Sequence, residues 1–272
     1  MFTAFYGLTF NPFQKENAEQ CYYTSADFTE FRSRMEYFQM TKGFAVVFGR
    51  PGTGKTCAIR NWTAELNTQL FQVVYLPLSR LTLTDFYRNM CIGLGLVPRS
   101  RKIDMFHQIQ LYITEQRRQK RRTPLLILDE AQYLDNQVLS DLPMLLSFDM
   151  DSKDHAMLLL CGQSGFAEKL NLHVHEALRQ RIALHYEFGG LRKPEIESYV
   201  TALLKAAGVS DNIVEPAAFE ALAAVCEGSP RLVNRIMERA LMAGYREKTR
   251  QVGPELIRIA YQELGLFQTQ GS

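Results

Sequence analysis

The chain has 272 residues, with 31 Lys and Arg against 29 Asp and Glu, and a formal net charge of +2. A hydrophobic fraction of 46% excludes a largely disordered chain, and the length predicts one large domain or a core domain with a small companion. No apolar run reaches the roughly 18 residues of a membrane span, and no signal peptide is visible at the N-terminus.

The cysteines are scattered along the chain, and none of them stands in CxxC spacing. This pattern predicts reduced, buried thiols in a cytoplasmic protein rather than a disulfide framework or a zinc site. The five residues are Cys21, Cys57, Cys91, Cys161 and Cys226.

Residues 1–42 are predicted to form an N-terminal segment that combines an aromatic loop with a helix. Phe5–Phe13 is aromatic and interrupted by Gly and Pro, which predicts an ordered loop. The three-to-four spacing of apolar residues in Tyr22–Lys42 predicts a helix packed into the core, with Ser25 or Asp27 as its N-cap. The residues that carry this spacing are Phe28, Phe31, Met35 and Phe38.

Residues 43–190 alternate between short apolar runs and amphipathic stretches. Continuous apolar strands that alternate with helices indicate an α/β fold whose parallel sheet is covered by helices on both faces. The predicted strands are Gly43–Phe48, Phe71–Leu76, Leu125–Leu128, Ala156–Cys161 and Arg181–Phe188, and the predicted helices are Lys55–Leu70, Thr84–Leu94, Asp104–Arg118, Asp135–Leu146 and Phe166–Leu170.

Residues 191–272 carry only helical patterns, most of them with Pro near the first turn. We therefore expect a boundary near Gly189–Gly190 and a small all-helical domain after it. The predicted helices are Pro194–Ala207, Pro216–Cys226, Pro230–Tyr245 and Pro254–Leu264.

Gly49–Thr56 matches the eight-position phosphate loop in full, between a predicted strand and a predicted helix. Glycines allow backbone N–H groups to surround a phosphate, and the following helix adds its positive dipole end. The Lys55 ammonium neutralises phosphate charge, and the Thr56 hydroxyl is suited to Mg²⁺. The residues assigned to ATP are Gly49, Pro51, Gly52, Thr53, Gly54, Lys55, Thr56 and Cys57, joined by Asp129 and Arg231.

The strand Leu125–Leu128 is followed directly by two acids, Asp129 and Glu130. A carboxylate at the tip of a buried strand is suited to holding Mg²⁺ through water, and the next acid is suited to polarising the attacking water. We therefore assign Asp129 to the metal, together with Thr56, and Glu130 to general-base catalysis.

Three further polar positions are predicted to act on the nucleotide. Gln163 follows a buried strand and is our choice for orienting water, with a simple turn as the alternative reading. Arg181, and after it Arg179, is expected to point outward to the nucleotide of a neighbouring subunit; ordinary surface arginines are the alternative. Arg231 opens a helix after Gly228–Pro230 and is a candidate sensor of the γ-phosphate.

We interpret His173 and His175 as surface or capping residues.

The stretch Arg99–Arg122 contains eight basic and two acidic residues, so it carries about +6 on a chain whose total is +2. Such a segment suits a polyanionic partner, although a solvated helix end explains the charge equally well.

In their order along the chain, these motifs resemble AAA+ ATPases. They are the phosphate loop, the Leu125–Glu130 strand, Gly162–Gln163, Leu178–Ile182 and Gly228–Arg231. The aromatic opening is similar to that of the ExeA-type branch, which contains secretion ATPases and transposon-encoded regulators similar to IstB, TniB, TnsC and MuB. Since Gln163 stands where Asn or Thr is common in other branches, we expect slow hydrolysis of ATP.

The resemblance to the transposon-encoded regulators implies a ring or helical filament of copies of the chain on duplex DNA, formed with ATP and Mg²⁺ and acting on a transposase. It also implies that loops facing the DNA contact phosphates, which requires only charge and reach. Mapped onto this sequence, these contacts are Arg80, Thr82, Arg99, Arg101 and Lys102. The run Arg117–Arg122 precedes a strand and is expected at the far edge of the sheet.

Two other functions remain open at this stage. One is a secretion or envelope-assembly ATPase that acts on protein partners; we rank it second because the chain ends near Ser272 without the membrane segment and wall-binding part of such proteins. The other is a scaffold that binds nucleotide without hydrolysing it.

Overall fold

The computed structural model describes residues 2–17, 23–150, 152–209 and 212–265. In that part of the chain, five strands alternate with helices and are followed by helices alone. The strands are β1 (Gly43–Phe48), β2 (Phe71–Pro77), β3 (Thr123–Asp129), β4 (Met157–Gly162) and β5 (Ile182–Glu187). The α-helices are α1 (Phe2–Tyr6), α2 (Ala26–Thr41), α3 (Lys55–Ala64), α4 (Leu83–Gly93), α5 (Lys102–Arg118), α6 (Asn136–Leu145), α7 (Gly165–Leu170), α8 (Glu176–Gln180), α9 (Glu195–Ala206), α10 (Pro216–Val225), α11 (Pro230–Arg246) and α12 (Pro254–Leu264).

The strands form one parallel sheet in the order β2-β3-β4-β1-β5, so the predicted α/β fold is confirmed. Because all strands run the same way, the segments after β1, β3 and β4 emerge at the same edge. The register places Phe48 of β1 opposite Gly162 of β4, and Leu128 of β3 opposite Leu160 of β4. This edge therefore gathers the three loops that carry the predicted chemistry.

Burial explains why the central strands contain continuous apolar runs. Every residue of β3 and β4 is buried, and so are the first five residues of β1, because helices cover both faces of the sheet. The predicted core helix is confirmed as well. Phe28, Phe31, Met35 and Phe38 of α2 are all buried, and Ser25 Oγ accepts a hydrogen bond from Phe28 N.

The chain divides into two compact units. The sheet unit comprises Glu30–Arg50 and Lys55–Phe188. The helical unit comprises the described residues of Met1–Thr29, Pro51–Gly54 and Gly189–Ser272. The chain passes from the sheet unit to the helical unit at Gly189, and residues 1–42 are divided between the two units after Thr29.

The aromatic N-terminus belongs to the core of the helical unit. The short helix α1 overlaps the expected loop only at Phe5 and Tyr6, and residues 7–13 form neither helix nor strand, as expected. Tyr6, Leu8 and Phe13 are buried in one cluster with apolar residues of α9 to α12. The Tyr6 hydroxyl also donates to the backbone carbonyl of Thr249. These aromatic side chains therefore stabilise the helical unit by packing.

Helix α3 ends at Ala64, six residues earlier than predicted. The reason is local, because the Asn67 side chain accepts a hydrogen bond from Gln69 N, and the Asn67 carbonyl accepts from Leu70 N. These bonds form a turn that replaces the last helical turns.

The cysteines of the described residues are free thiols. Cys91, Cys161 and Cys226 are buried, Cys57 is half-buried, and Cys21 lies outside the described residues. Among the described residues, no helix has the length and apolar character that a membrane span requires.

Candidate nucleotide-binding site

Lys55 stands at the first position of α3, directly after the turn of the phosphate loop. Its Nζ donates to the backbone carbonyls of Gly49 and Arg50, at 2.8 Å each. The ammonium is therefore held over the start of the loop by two neutral acceptors. A phosphate oxygen is a stronger acceptor for an ammonium group than a carbonyl is, so this position is suited to an exchange of partners.

Gly49 is required at its position by the neighbouring backbone. A Cβ atom built on Gly49 would lie 2.3 Å from the carbonyl oxygen of Phe188, which follows β5. No side chain fits at this distance, so the first glycine of the motif allows the loop to leave β1 beside the end of β5.

Asp129 lies at the end of β3, and the residue is only 5% exposed. Its Oδ2 accepts hydrogen bonds from Thr56 Oγ1 at 3.1 Å and from the Tyr75 hydroxyl at 2.7 Å. Its Oδ1 accepts from the backbone N–H of Glu130 at 2.9 Å. The structure thus brings together Thr56 and Asp129, the two residues that the sequence assigns to the metal.

Two neighbours of Asp129 remain protonated beside it. Burial and the hydrogen bond to Asp129 raise the pKa of Tyr75, and burial next to Asp129 raises the pKa of the Cys161 thiol well above its usual value. Tyr75 is consequently a hydrogen-bond donor throughout the neutral pH range, and Cys161 is a neutral thiol.

The donor set at Asp129 fits a magnesium ion. A hydroxyl oxygen and a carboxylate oxygen meet at 3.1 Å. Oxygen ligands of this kind are those that Mg²⁺ prefers, usually with several waters retained.

Glu130 adopts the left-handed conformation, with φ 59° and ψ 39°, and its side chain is exposed. Its Oε2 accepts a hydrogen bond of 2.5 Å from the Gln132 amide. The same Gln132 side chain accepts through Oε1 from the backbone N–H of Gln163 at 3.1 Å. Gln132 therefore links Glu130, the predicted general base, to Gln163, the residue predicted to orient water.

Gly52 of the phosphate loop is hydrogen-bonded to the start of α11 within the helical unit. Its carbonyl accepts hydrogen bonds from Ser229 Oγ at 3.1 Å and from Arg231 N at 3.3 Å. Gly52 has φ +82°, a region that favours glycine, and a Cβ built there would lie 2.6 Å from Ser229 Oγ. Arg231, the predicted sensor, is exposed and next to this glycine, while Thr53 is buried.

The two arginines before β5 differ in direction, and only one of them is placed as expected. Arg181 does not point outward: its guanidinium donates to the Pro143 carbonyl at 2.6 Å, and the side chain is half-buried. Arg179 is exposed, and it donates to the Asn171 carbonyl at 3.1 Å. Since a carbonyl of its own chain binds Arg181 in a half-buried position, Arg179 fits an outward contact better.

The five predicted DNA contacts fall into two groups. Thr82 is the N-cap of α4 and bonds Asp85, while Arg101 pairs with Asp104 and Lys102 pairs with Asp141. Arg80 and Arg99 are exposed, and neither makes an ion pair with any described residue. The guanidinium groups of Arg80 and Arg99 are therefore available to an external phosphate. The side chains of Thr82, Arg101 and Lys102 already bind acidic residues of the same chain.

The two histidines near α8 differ in burial. His173 is 97% exposed at its side chain, in line with the expectation of a surface residue. His175 is not a surface residue, since it is 1% exposed and has its Nε2 3.1 Å from Asn136 Oδ1, but it does occupy the N-cap position of α8, without a side-chain cap hydrogen bond. Burial lowers the pKa of His175. The short helices around it turn the ring inward, which the sequence pattern did not indicate.

Sequence reasoning missed two polar residues of the site, Tyr75 and Gln132. Tyr75 lies in β2, where it fits the ordinary pattern of an aromatic residue in a strand. Gln132 stands two residues after Glu130, and that short spacing is the only signal that pointed to it. Both are recognised by their hydrogen bonds to Asp129 and Glu130.

The chain is similar to known proteins in sequence and in fold. Residues 38–170 match the model of a family described as AAA domain. The chain is 28% identical to General secretion pathway protein A of Aeromonas hydrophila over 276 residues, which cover 100% of this chain and 50% of that protein. The chain thus spans half the length of this curated relative.

Two solved structures have a similar fold. One is Cdc6p from Pyrobaculum aerophilum, with a TM-score of 0.67, 18% identity, and coverage of 96% of this chain and 70% of that one. The other is the Aeropyrum pernix ORC1 protein in complex with DNA, with a TM-score of 0.65, 15% identity, and coverage of 93% and 68%. At these identities the likeness establishes the fold alone.

Proposed function

We propose that this chain, whose residues 38–170 match the model of a family described as AAA domain, binds ATP with Mg²⁺ and hydrolyses it slowly to ADP and phosphate. The main support for the proposal is the 3.1 Å hydrogen bond between Thr56 Oγ1 and Asp129 Oδ2. Thr56 is the residue that follows Lys55 in the phosphate loop. The loop Gly49–Thr56 would receive the phosphates, with the Lys55 ammonium moving from its two carbonyl acceptors to phosphate oxygens.

Thr56 and Asp129 would hold the magnesium ion, the carboxylate partly through water. When bound, the ion neutralises phosphate charge and polarises the bond to the leaving group. Lys55 adds positive charge on the transferring phosphoryl group, and the N-terminus of α3 adds backbone N–H groups of its own.

Glu130 would take a proton from the attacking water, because its carboxylate is exposed and lies next to the metal-binding carboxylate. The Gln163 side chain makes no hydrogen bond with the described residues, so its amide is available to orient the same water. Arg231 would respond to the γ-phosphate, and the exposed Arg179 would reach a neighbouring copy of the chain.

The test is magnesium-dependent phosphate release by the purified chain. Lys55→Ala should abolish nucleotide binding, whereas Glu130→Gln should keep binding and lower turnover about 100-fold or more, since it removes the general base. Lys205→Ala and Glu168→Gln, both at exposed helical positions, are matched controls. A wild-type chain without magnesium-dependent affinity for ATP would end the proposal. Tight binding without turnover would favour the non-hydrolysing scaffold.

For the partner, we propose that copies of the chain assemble with ATP on duplex DNA in the cytoplasm and regulate a transposase. Arg80 and Arg99 support a phosphate contact, since both are exposed and neither forms an ion pair within the described part of the chain. The Aeropyrum pernix ORC1 protein, which has a similar fold, forms a complex with DNA. ATP-dependent gel shifts and electron microscopy would test the assembly. An adjacent transposase gene would support the regulatory role.

A second candidate is an ATPase of a secretion system that acts on protein partners. The observation in its favour is the similarity to General secretion pathway protein A over the full chain. Absence of DNA binding at low salt, together with a neighbouring secretion operon, would favour this candidate.

A further inference from the structure

Gln132 lies in the one-turn helix Ala131–Tyr133 directly after the two acids, and its side chain is half-buried. Its backbone is anchored from α7, since Lys169 Nζ donates to the carbonyls of Gln132 and Leu134. The side chain therefore extends from a fixed backbone position rather than from a free loop end.

The carboxamide of Gln132 uses both of its polar ends. Its Nε2 donates to Glu130 Oε2 at 2.5 Å, and its Oε1 accepts from Gln163 N at 3.1 Å. An N–H must face the carboxylate, and an oxygen must face the backbone N–H, so the chemistry fixes the orientation of the amide. Glutamate has the same shape at this position, but it has no N–H to donate to Glu130.

These bonds leave Glu130 with one occupied and one available carboxylate oxygen. Its Oε2 is held by Gln132, and its Oε1 has no hydrogen-bond partner among the described residues. Glu130 also adopts a left-handed backbone conformation, which is uncommon for a residue with a side chain and persists where the surroundings hold it. The exposed carboxylate of Glu130 therefore has a defined orientation, because Gln132 hydrogen-bonds its Oε2.

We propose that Gln132 is a positioning residue for hydrolysis. Its Nε2 holds Glu130 Oε2 so that Oε1 faces the attacking water. Its Oε1 accepts a hydrogen bond from the backbone N–H of Gln163, directly after β4, which fixes the orientation of the amide. The inference rests on the proposed ATPase function. Gln132 acts through Glu130, and its effect therefore belongs to the turnover step and not to nucleotide affinity.

The test compares steady-state ATP hydrolysis and ATP binding in three variants. Gln132→Ala should lower kcat about 10-fold, and Gln132→Glu should lower it further, because a second carboxylate repels Glu130. The KM and the Kd for ATP should stay within about 2-fold of the wild type. Gln110→Ala is the matched control: it removes another glutamine of the sheet unit, which hydrogen-bonds backbone carbonyls of residues 144, 145 and 147.

A double-variant cycle separates positioning from a structural role. In a Glu130→Gln background, Gln132→Ala should cause no further loss, because the carboxylate that it orients is absent. An additive loss in this background, or a rise in KM together with a lower melting temperature, would overturn the positioning role. So would wild-type turnover in Gln132→Glu. A wild-type chain that binds ATP but shows no hydrolysis would overturn this inference and the proposed function together.

Discussion

At the residue scale, the environment of Asp129 determines what its carboxylate can do. Two hydroxyl groups share Oδ2, and a backbone N–H holds Oδ1. A buried carboxylate requires such donors, since its charge has lost most of its water. The same donors fix its direction before any ligand arrives, and a metal ion that replaces the Thr56 contact would meet a carboxylate that is already oriented.

Tyr75→Phe tests this orientation. The variant removes the 2.7 Å hydrogen bond to Asp129 Oδ2 while it keeps the ring. We expect the Mg²⁺ concentration for half-maximal ATP hydrolysis to rise about 10-fold, because groups that orient a metal ligand contribute to metal affinity. Tyr37→Phe, at an exposed tyrosine of α2, is the control. An unchanged magnesium titration would show that the hydroxyl does not support the metal ligand.

His155 gives a pH dependence of stability. Its ring is 5% exposed and stacks on Phe148 at 4.8 Å, and burial lowers its pKa below the ordinary value of about 6.5. The unfolded chain then binds a proton more readily than the folded chain does. The contribution of His155 to the free energy of unfolding is therefore complete above pH 6.5 and decreases as the pH falls.

Urea denaturation between about pH 7.5 and pH 5.5 measures this effect. His155→Phe keeps an aromatic ring on Phe148 and should reduce the loss of stability at low pH. His173→Asn, at the exposed histidine, should leave the pH dependence as it is. A His155→Phe variant with the pH dependence of the wild type would refute the assignment.

At the element scale, the ends of β1, β3 and β4 determine where the chemistry lies. The register brings Phe48, Gly162 and Leu128 to one edge of the sheet, and each of the three strands is followed directly by a polar segment. Parallel strands make this convergence automatic, because every loop after a strand leaves from the same side. The basic run before Thr123 precedes β3, so it belongs to the opposite edge.

The start of α11 offers a test of an element boundary. Ser229 caps α11 by accepting from Leu232 N, and its hydroxyl donates to the Gly52 carbonyl. Ser229→Ala removes both bonds and should lower the free energy of unfolding by about 1–2 kcal/mol, as measured by urea denaturation. Ser229→Asn supplies a new cap acceptor and a new donor, so most of the stability should return. Equal stability of the alanine variant and the wild type would contradict this account.

At the scale of the whole molecule, a net charge of +2 gives little general attraction to a polyanion. Any DNA binding must therefore depend on local charge, and ion pairs inside the chain already occupy Arg101 and Lys102. We expect the affinity for duplex DNA to depend mainly on Arg80 and Arg99. If all basic residues of Arg99–Arg122 contacted DNA equally, Arg101→Ala would weaken DNA binding as much as Arg99→Ala does.

Salt titrations of DNA binding separate these cases. Arg80→Ala and Arg99→Ala should each weaken binding and reduce the slope of log affinity against log salt concentration by about 1. Arg101→Ala should change the slope less. Arg235→Ala, at an exposed arginine of α11, should leave it unchanged. Slopes that are equal in all four variants would exclude Arg80 and Arg99 as phosphate contacts.

The sequence by itself determined the fold class and the core of the candidate site. Apolar runs alternating with amphipathic stretches are local signals, and so is the motif Gly49–Thr56. The predicted strands match β1 to β5 within two residues at their ends, because a buried parallel strand must be apolar along its length. Thr56 and Asp129, paired from sequence, are 73 residues apart and in contact.

Only the tertiary structure decided which other side chains join them. Tyr75 reaches Asp129 across 54 residues of chain, and Gln132 reaches Gln163 across 31. The burial of His175, the Pro143 carbonyl that binds Arg181, and the packing of the N-terminal aromatic residues with the C-terminal helices have the same origin. Such contacts depend on the distance between elements after folding, and a pattern read along the chain contains no measure of that distance.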